Sequence, residues 1–289
     1  MLRSYRDAVC LVTGGASGIG EALSRELARR GASVILADRQ EERAGTLAKE
    51  IESAGGRARA AALDVRDAEA FEALVRDTLS DAGRLDYLFN NAGIGVGGFF
   101  EDHSLDDWRY IVDVNLMGVV HGAHAAYPRM CEQGFGHIVN TASMAGQMGV
   151  PGLASYSATK HAVVGLTRSL RAEGLEYGVR VSAFCPGVIN TPILDGGGAY
   201  GRILGPASIL EAQPEDLGRA MDATRFAQQA LDAVAKNREI IVLPSAWRIL
   251  WAFDRLFPTL GSRLTAWQYR RGKAKLLARA ATETQDGAP

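Results

Sequence analysis

The chain has 289 residues, 47% hydrophobic and 22% charged, a balance that suits a globular domain with a sizeable core and excludes a disordered or fibrous chain. A net charge of −1 and a pI near 6.5 remove nucleic acid as a general partner. Three widely spaced cysteines, Cys10, Cys131 and Cys185, lack a C-x-x-C pair, which excludes a disulfide framework or zinc site and points to reduced thiols.

Short apolar runs alternate with helical patterns along the chain. Ala8–Val12 is the first predicted strand, and VTGGASGIGEAL follows it as a glycine-rich turn into a helix over Ile19–Arg30, with Gly31 as its C-cap. A strand at Ser33–Ala37, a helix at Glu41–Ala54 closed by Gly55-Gly56, and a strand at Ala58–Leu63 come next. Further strands are predicted at Leu85–Phe89, His137–Asn140, Arg180–Phe184 and Glu239–Leu243. The runs are continuous rather than alternating, as in strands covered on both faces. The expected fold is therefore α/β, a doubly wound parallel sheet of about seven strands with helices on both faces. Residues 1–244 would form this domain, with residues 190–215, rich in Gly and Pro, as a lid. Residues 245–289 would add a helical extension holding three of the four tryptophans and eight Lys or Arg against three acids.

No run of 18 uncharged apolar residues occurs, and the N-terminus meets its first glycines too soon for a signal peptide. The expected compartment is the cytoplasm.

Several residues carry chemistry. In the first turn, Gly14, Gly18 and Gly20 have the spacing T-G-x-x-x-G-x-G. Glycines there let backbone N–H groups approach an anion at a helix N-terminus, as in dinucleotide binding, although a tight turn without ligand uses glycine for the same steric reason. Asp38 closes the second strand, where a carboxylate can accept from both hydroxyls of an adenosine ribose or cap the next helix. It would repel a 2′-phosphate by about 4 kcal/mol at contact distance, which favours NAD over NADP. Arg39 pulls the other way, because a guanidinium beside the ribose could pair with that phosphate, while Ser17 adds no second cation. Finally, ASYSATKHAV places Tyr156 and Lys160 one helical turn apart on one face. Alone, that spacing is most simply a pair of helical neighbours.

Taken together in order, the glycine turn, NNAG at 90–93, Asn115, Ser143 and Tyr156-x-x-x-Lys160 resemble the short-chain dehydrogenase/reductase family, over about Asp7 to Leu243. The resemblance implies a catalytic tetrad of Asn115, Ser143, Tyr156 and Lys160. It also implies cofactor contacts from Gly14, Ser17, Gly18, Ile19, Gly20, Asp38, Arg39, Asp64, Val65, Asn90, Ile189 and Thr191, in addition to Tyr156 and Lys160. Tyr156 would act as general acid/base with its pKa lowered by the Lys160 ammonium, Ser143 would hold the substrate oxygen, and Asn115 would position a water toward Lys160. A homodimer or homotetramer is implied as well.

The function expected on these grounds is interconversion of a secondary alcohol and a ketone with NAD, NADP being the second candidate. Ile193, Leu194, Tyr200, Ile203 and Leu204 in the lid suggest a hydrophobic small-molecule substrate. Reduction of a 3-oxoacyl thioester is the enzymatic alternative, and a non-catalytic NAD(H)-sensing protein the alternative from another class. His103, His121, His124 and His161 lack partners at ligand spacing, so no metal is expected. Phe99 and Phe100 are candidate cleft walls or core residues, and Trp108 is expected under a helix. The tail spaces Trp247, Leu250, Trp251, Asp254 and Phe257 helically and admits three readings: a peripheral membrane contact through 245–279, a cover over the substrate entrance or a subunit, or a helix docked on its own domain.

Overall fold

A computed structural model describes residues 4–194, 198–204 and 220–286. The chain starts with β1 (Val9–Thr13), α1 (Gly18–Arg29), β2 (Ser33–Asp38), α2 (Glu41–Ser53), β3 (Arg57–Ala62), α3 (Ala68–Ala82) and β4 (Tyr87–Asn90). It continues through the short β5 (Gly95–Gly97), α4 (Leu105–Val112), a π-helical turn at Asp113–Met117, α5 (Gly118–Gln133), β6 (Gly136–Thr141) and α6 (Ala154–Gly174). Next come β7 (Val179–Pro186), the short β8 (Ile189–Asn190), β9 (Gly201–Ile203) and β10 (Met221–Asp222), then α7 (Ala223–Ala235) and β11 (Ile240–Leu243). Two helices close the chain, α8 (Trp247–Leu256) and α9 (Pro258–Asp286).

Seven strands form one parallel sheet in the order β11-β7-β6-β4-β1-β2-β3. The order reverses between β1 and β4, so the loops after these two strands diverge and leave a crevice at their C-terminal ends. Every residue of β1, β4 and β6 is buried, because helices cover both faces. The edge strand β3 departs from that expectation. Its sequence RARAAA alternates exposed and half-buried positions, since only one neighbour pairs with it. One face of the sheet packs α1, α2 and α7 through Leu23, Leu27, Leu47, Phe226 and Leu231. The other packs α3 and α5 through Phe71, Val75, Ala126 and Met130.

Local signals explain the boundaries. Asp67 caps α3 by accepting from the Ala70 N–H at 2.9 Å, and α3 ends at Gly83 with φ +69°. Asp86, buried before β4, accepts from the Val9 N–H at 2.8 Å and pairs with Arg84, which anchors the start of β1. The three cysteines are free thiols.

The described part of the predicted lid is held in place. β9 pairs in parallel with β5, Arg202 forms an ion pair with Asp107 at 2.5 Å, and Arg43 donates to the Tyr200 hydroxyl at 3.0 Å. The rest of that segment, residues 195–197 and 205–215, lies outside the described residues.

Candidate active site

The crevice opens over a cleft of about 390 Å³. Its floor is set by a contact between two turns. After β1, the Thr13 hydroxyl accepts from the N–H groups of Asn91 and Ala92, both at 3.0 Å, and so ties the glycine turn to the loop after β4. The approach is close enough that a Cβ on Gly14, whose φ is +61°, would lie 2.9 Å from Ala92 Cα. A Cβ on Gly20 would collide with the Gly14 carbonyl. The glycines are thus demanded by chain-against-chain packing as well as by any anion. Gly18, with φ +53°, faces Thr191 across the cleft.

The chemistry lies on α6 and β6. Gly146 lets the turn Met144–Gly146 press on α6; a Cβ there would lie 2.5 Å from the Lys160 carbonyl oxygen. That contact fixes the first turns of α6, which carry Tyr156 and Lys160 into the cleft. Ser143 sits just past β6 in extended backbone, its hydroxyl accepting from the Ala145 N–H at 3.1 Å. Lys160 is 2% exposed, donates from Nζ to the Thr141 carbonyl at 2.8 Å, and lies 5.5 Å from the centre of the Tyr156 ring. A helical neighbour pair has become a buried ammonium and a half-buried phenol in one cleft with Ser143.

Burial decides the electrostatics. It lowers the Lys160 pKa to about 8, so the ammonium is still the major form at neutral pH. It also pushes the Tyr156 hydroxyl above its ordinary value, against a hydrogen bond to Ser143 that pulls it down. The direction is opposite to the lowering expected from sequence: around this hydroxyl, desolvation outweighs the Ser143 hydrogen bond.

Of the predicted residues, Gly14, Ser17, Gly18, Ile19, Ser143, Tyr156, Lys160, Ile189 and Thr191 line the cleft together. Gly20 is buried behind the turn. Asp38 lies at the end of β2, 5% exposed, accepting from the N–H groups of Ala16 at 3.1 Å and Gln40 at 2.9 Å. It therefore holds the glycine turn and the start of α2 and is not among the residues that line the cleft. Arg39 donates to the Ala199 carbonyl at 2.5 Å. Asp64 pairs with Arg66 at 2.6 Å, which holds its carboxyl below the usual range, and the Val65 carbonyl meets His121 Nδ1 at 2.9 Å.

Asn90 is placed differently from its implied cofactor contact, while Asn115 takes a structural position that is compatible with its implied role. Asn90 is buried between strands, donating to Asn140 Oδ1 at 2.9 Å, and does not line the cleft; Asn91 does. Asn115 stands in the π-helical turn and is fully buried, its amide paired with the Ile94 backbone at 2.8 and 2.9 Å. A Cβ on Gly93 would sit 3.3 Å from Asn115 Oδ1 and 3.4 Å from Lys160 Nζ, so both groups border one small recess. Among the described residues no His, Cys, Asp or Glu cluster has metal-ligand spacing. Phe100 is 68% exposed and touches Trp108 edge-on, so Trp108 packs by a loop and Phe100 is no cleft wall.

The far wall combines the lid residues expected from sequence with the C-terminal extension, for which cleft cover was one of three readings. Trp247 and Leu250 of α8 and Thr265 and Tyr269 of α9 line the cleft, as do Ile193, Leu194, Tyr200 and Ile203 from the lid segment. Leu204 packs into the core instead. Trp247 lies against Gly187, where any Cβ would strike the indole, and Trp251 packs against the small core cluster that includes Val242 and Cys185. The extension thus docks on its own domain and covers the substrate end of the cleft. The only sequence signal was the helical spacing of its tryptophans.

A model of the short chain dehydrogenase family matches residues 8–197. Cyclohexanol dehydrogenase of an Acinetobacter species is 38% identical over 195 residues, 67% of this chain and 78% of its own length. The 2,5-dichloro-2,5-cyclohexadiene-1,4-diol dehydrogenase of Sphingobium indicum is 40% identical over 185 residues, 64% of this chain and 74% of its own. Among solved structures, a short chain dehydrogenase/reductase from Burkholderia phymatum in complex with NAD superposes with a TM-score of 0.79 at 32% identity, covering 89% of this chain and 96% of its own. Fold, site and relatives agree that the chain belongs to the short-chain dehydrogenase/reductase family of oxidoreductases.

Proposed function

We propose that the protein interconverts a secondary alcohol and a ketone on a compact hydrophobic molecule, with NAD as cofactor. The observation that carries this reading is the placement of Tyr156, Ser143 and Lys160 in one cleft whose remaining walls are largely apolar. When bound, a nicotinamide dinucleotide supplies or accepts the hydride and, in its oxidised form, adds a positive charge. Hydride movement leaves a proton to be handled at the substrate oxygen. Tyr156 Oη takes that proton in oxidation and returns it in reduction, and Ser143 Oγ donates a hydrogen bond to the same oxygen as charge develops on it. A tyrosine serving as base near neutral pH must lose about 4 kcal/mol of proton affinity relative to water. Burial in this protein adds to that requirement, so Lys160 has to act together with the cofactor's charge rather than alone. Lys160 Nζ, which borders the recess at Gly93, would also hold the nicotinamide ribose hydroxyls.

Asp38 supports NAD over NADP. Its buried carboxylate cannot swing away from a 2′-phosphate without giving up the Ala16 and Gln40 N–H groups. Arg39, the residue that could have favoured the phosphate, is engaged with Ala199. Two relatives named as dehydrogenases of cyclic alcohols, and the NAD bound to the solved neighbour, support the same reading. The test is turnover of a panel of secondary alcohols and ketones, each with NAD(H) and NADP(H). Turnover of apolar cyclic alcohols that prefers NAD is expected; tight NADH binding without turnover across the panel would overturn the enzymatic reading.

A further inference from the structure

The helix α9 has two faces with different fates. Gly261, Thr265, Tyr269 and Lys273, four residues apart, turn inward; Thr265 and Tyr269 line the cleft and Lys273 pairs with Glu101 at 3.2 Å. Leu260, Leu264 and Trp267 turn outward and are 52%, 42% and 53% exposed. Ile249 and Leu256, seven residues apart on α8, extend this outward apolar face. So many exposed large apolar side chains close together mark a contact surface rather than ordinary scatter.

The charges around the face say what kind of surface it meets. Arg255, Arg263, Arg270 and Arg271 are all exposed, and Arg271 stacks over the Trp267 ring at 4.6 Å. Among the described side chains from Ser245 to Ala274 the one acid is Asp254, whose carboxylate is tucked against Gly261 between the two helices. A second copy docked through this face about a two-fold axis would set arginines against arginines. An anionic lipid surface offers apolar depth for Leu260, Leu264 and Trp267 and phosphates for the guanidiniums. No described helix is long and apolar enough to cross a bilayer, so the geometry is one of lying on it.

We propose that the outward face of α8 and α9 docks the protein on anionic membrane surfaces, with Leu260, Leu264 and Trp267 in the interface and the flanking arginines at the headgroups. One helix then serves as cleft wall on its inner side and membrane contact on its outer side. The docking stands independently of the chemistry assigned to the cleft.

The test is co-sedimentation of the full-length protein with vesicles of phosphatidylcholine and of phosphatidylcholine mixed with phosphatidylglycerol. Partitioning onto the mixed vesicles is expected, weakening as salt is raised. Arg263→Glu with Arg270→Glu should cut that partitioning roughly thirtyfold or more. Leu264→Ser with Trp267→Ser should cut it roughly tenfold or more. Neither pair lines the cleft, so both variants should keep wild-type turnover of a water-soluble alcohol. Equal partitioning onto neutral and anionic vesicles, or no partitioning onto either, would overturn the proposal. So would binding that follows the arginines but ignores Leu264 and Trp267. A dimer in solution that the Leu264/Trp267 variant converts to monomer would assign the face to a second copy instead.

Discussion

The central sheet and the two C-terminal helices bury apolar residues in opposite ways. In β1, β4 and β6 every position is buried, and the aromatic rings of Tyr5, Tyr87, Phe89 and Phe184 stack in sequence across the sheet. In α8 no residue is fully buried, and the apolar positions divide among the cleft, the domain surface under Trp251 and the outside. The sheet and the elements packed on it hold the candidate site residues against backbone: Lys160 on the Thr141 carbonyl, Asn115 on Ile94, Asp38 on Ala16. The helices line the space beyond them, and among the described residues none of their side chains hydrogen-bonds Tyr156, Ser143 or Lys160. Under the proposed reaction, chemistry and substrate selection would rest on different parts of the chain, and that division can be broken experimentally.

The largest expected effect falls on the sheet side. Tyr156→Phe should lower turnover by about 10²–10⁴-fold, the usual worth of a general acid/base. NADH binding, followed by fluorescence titration, should stay within a few-fold of wild type, because the ring and Lys160 remain in place. Comparable turnover in the variant would show that the proton leaves by another group.

A second effect also belongs to the sheet. His137 on β6 is fully buried, with Nε2 2.8 Å from Ser182 Oγ, and burial, aided by Arg180 and Arg171, lowers its pKa to about 3. The folded chain keeps this histidine neutral where the unfolded chain, near pKa 6.5, takes up a proton. Its contribution to stability is therefore complete above pH 6.5 and is lost as pH falls from there toward 3. At pH 4 the loss from this one group is about 3 kcal/mol. In urea titrations between pH 7 and pH 4, His137→Gln should show a correspondingly flatter decline, whatever its stability at pH 7. An unchanged slope would place the acid sensitivity elsewhere.

Much of the sheet side was legible in the sequence because its causes are local. Continuous apolar runs located all seven main strands to within two residues at each end, and glycine, serine, tyrosine and lysine at fixed separations marked the site. What escaped was set by long-range packing. NNAG drew attention to Asn90, yet pairing with Asn140, fifty residues away, turns Asn90 into the sheet and leaves Asn91 facing the cleft. The sign of the Tyr156 shift was missed because spacing along a helix reports a neighbouring charge but not the depth of burial. The roles of α8 and α9 were open because helical spacing of tryptophans does not say which face meets which surface. Gly187, against which Trp247 lies, is sixty residues upstream.

The smallest expected effect falls on the helices and tests the division directly. Tyr269 lines the cleft from α9 and meets Phe99 edge-on, with ring centres 6.1 Å apart. Tyr269→Ala removes apolar wall from the substrate end while leaving the Lys160–Thr141 contact and the Ser143 turn untouched. KM for a bulky cyclic alcohol should rise roughly tenfold, the scale set by losing a few apolar contacts in a pocket. Because wall contacts of this kind are made equally in the ground and transition states, kcat should hold. For a small alcohol that does not reach the wall, both constants should match wild type. A fall in kcat at constant KM would mean that α9 governs how the substrate oxygen meets Tyr156, and the separation between a reacting sheet and a shaping extension would then be wrong.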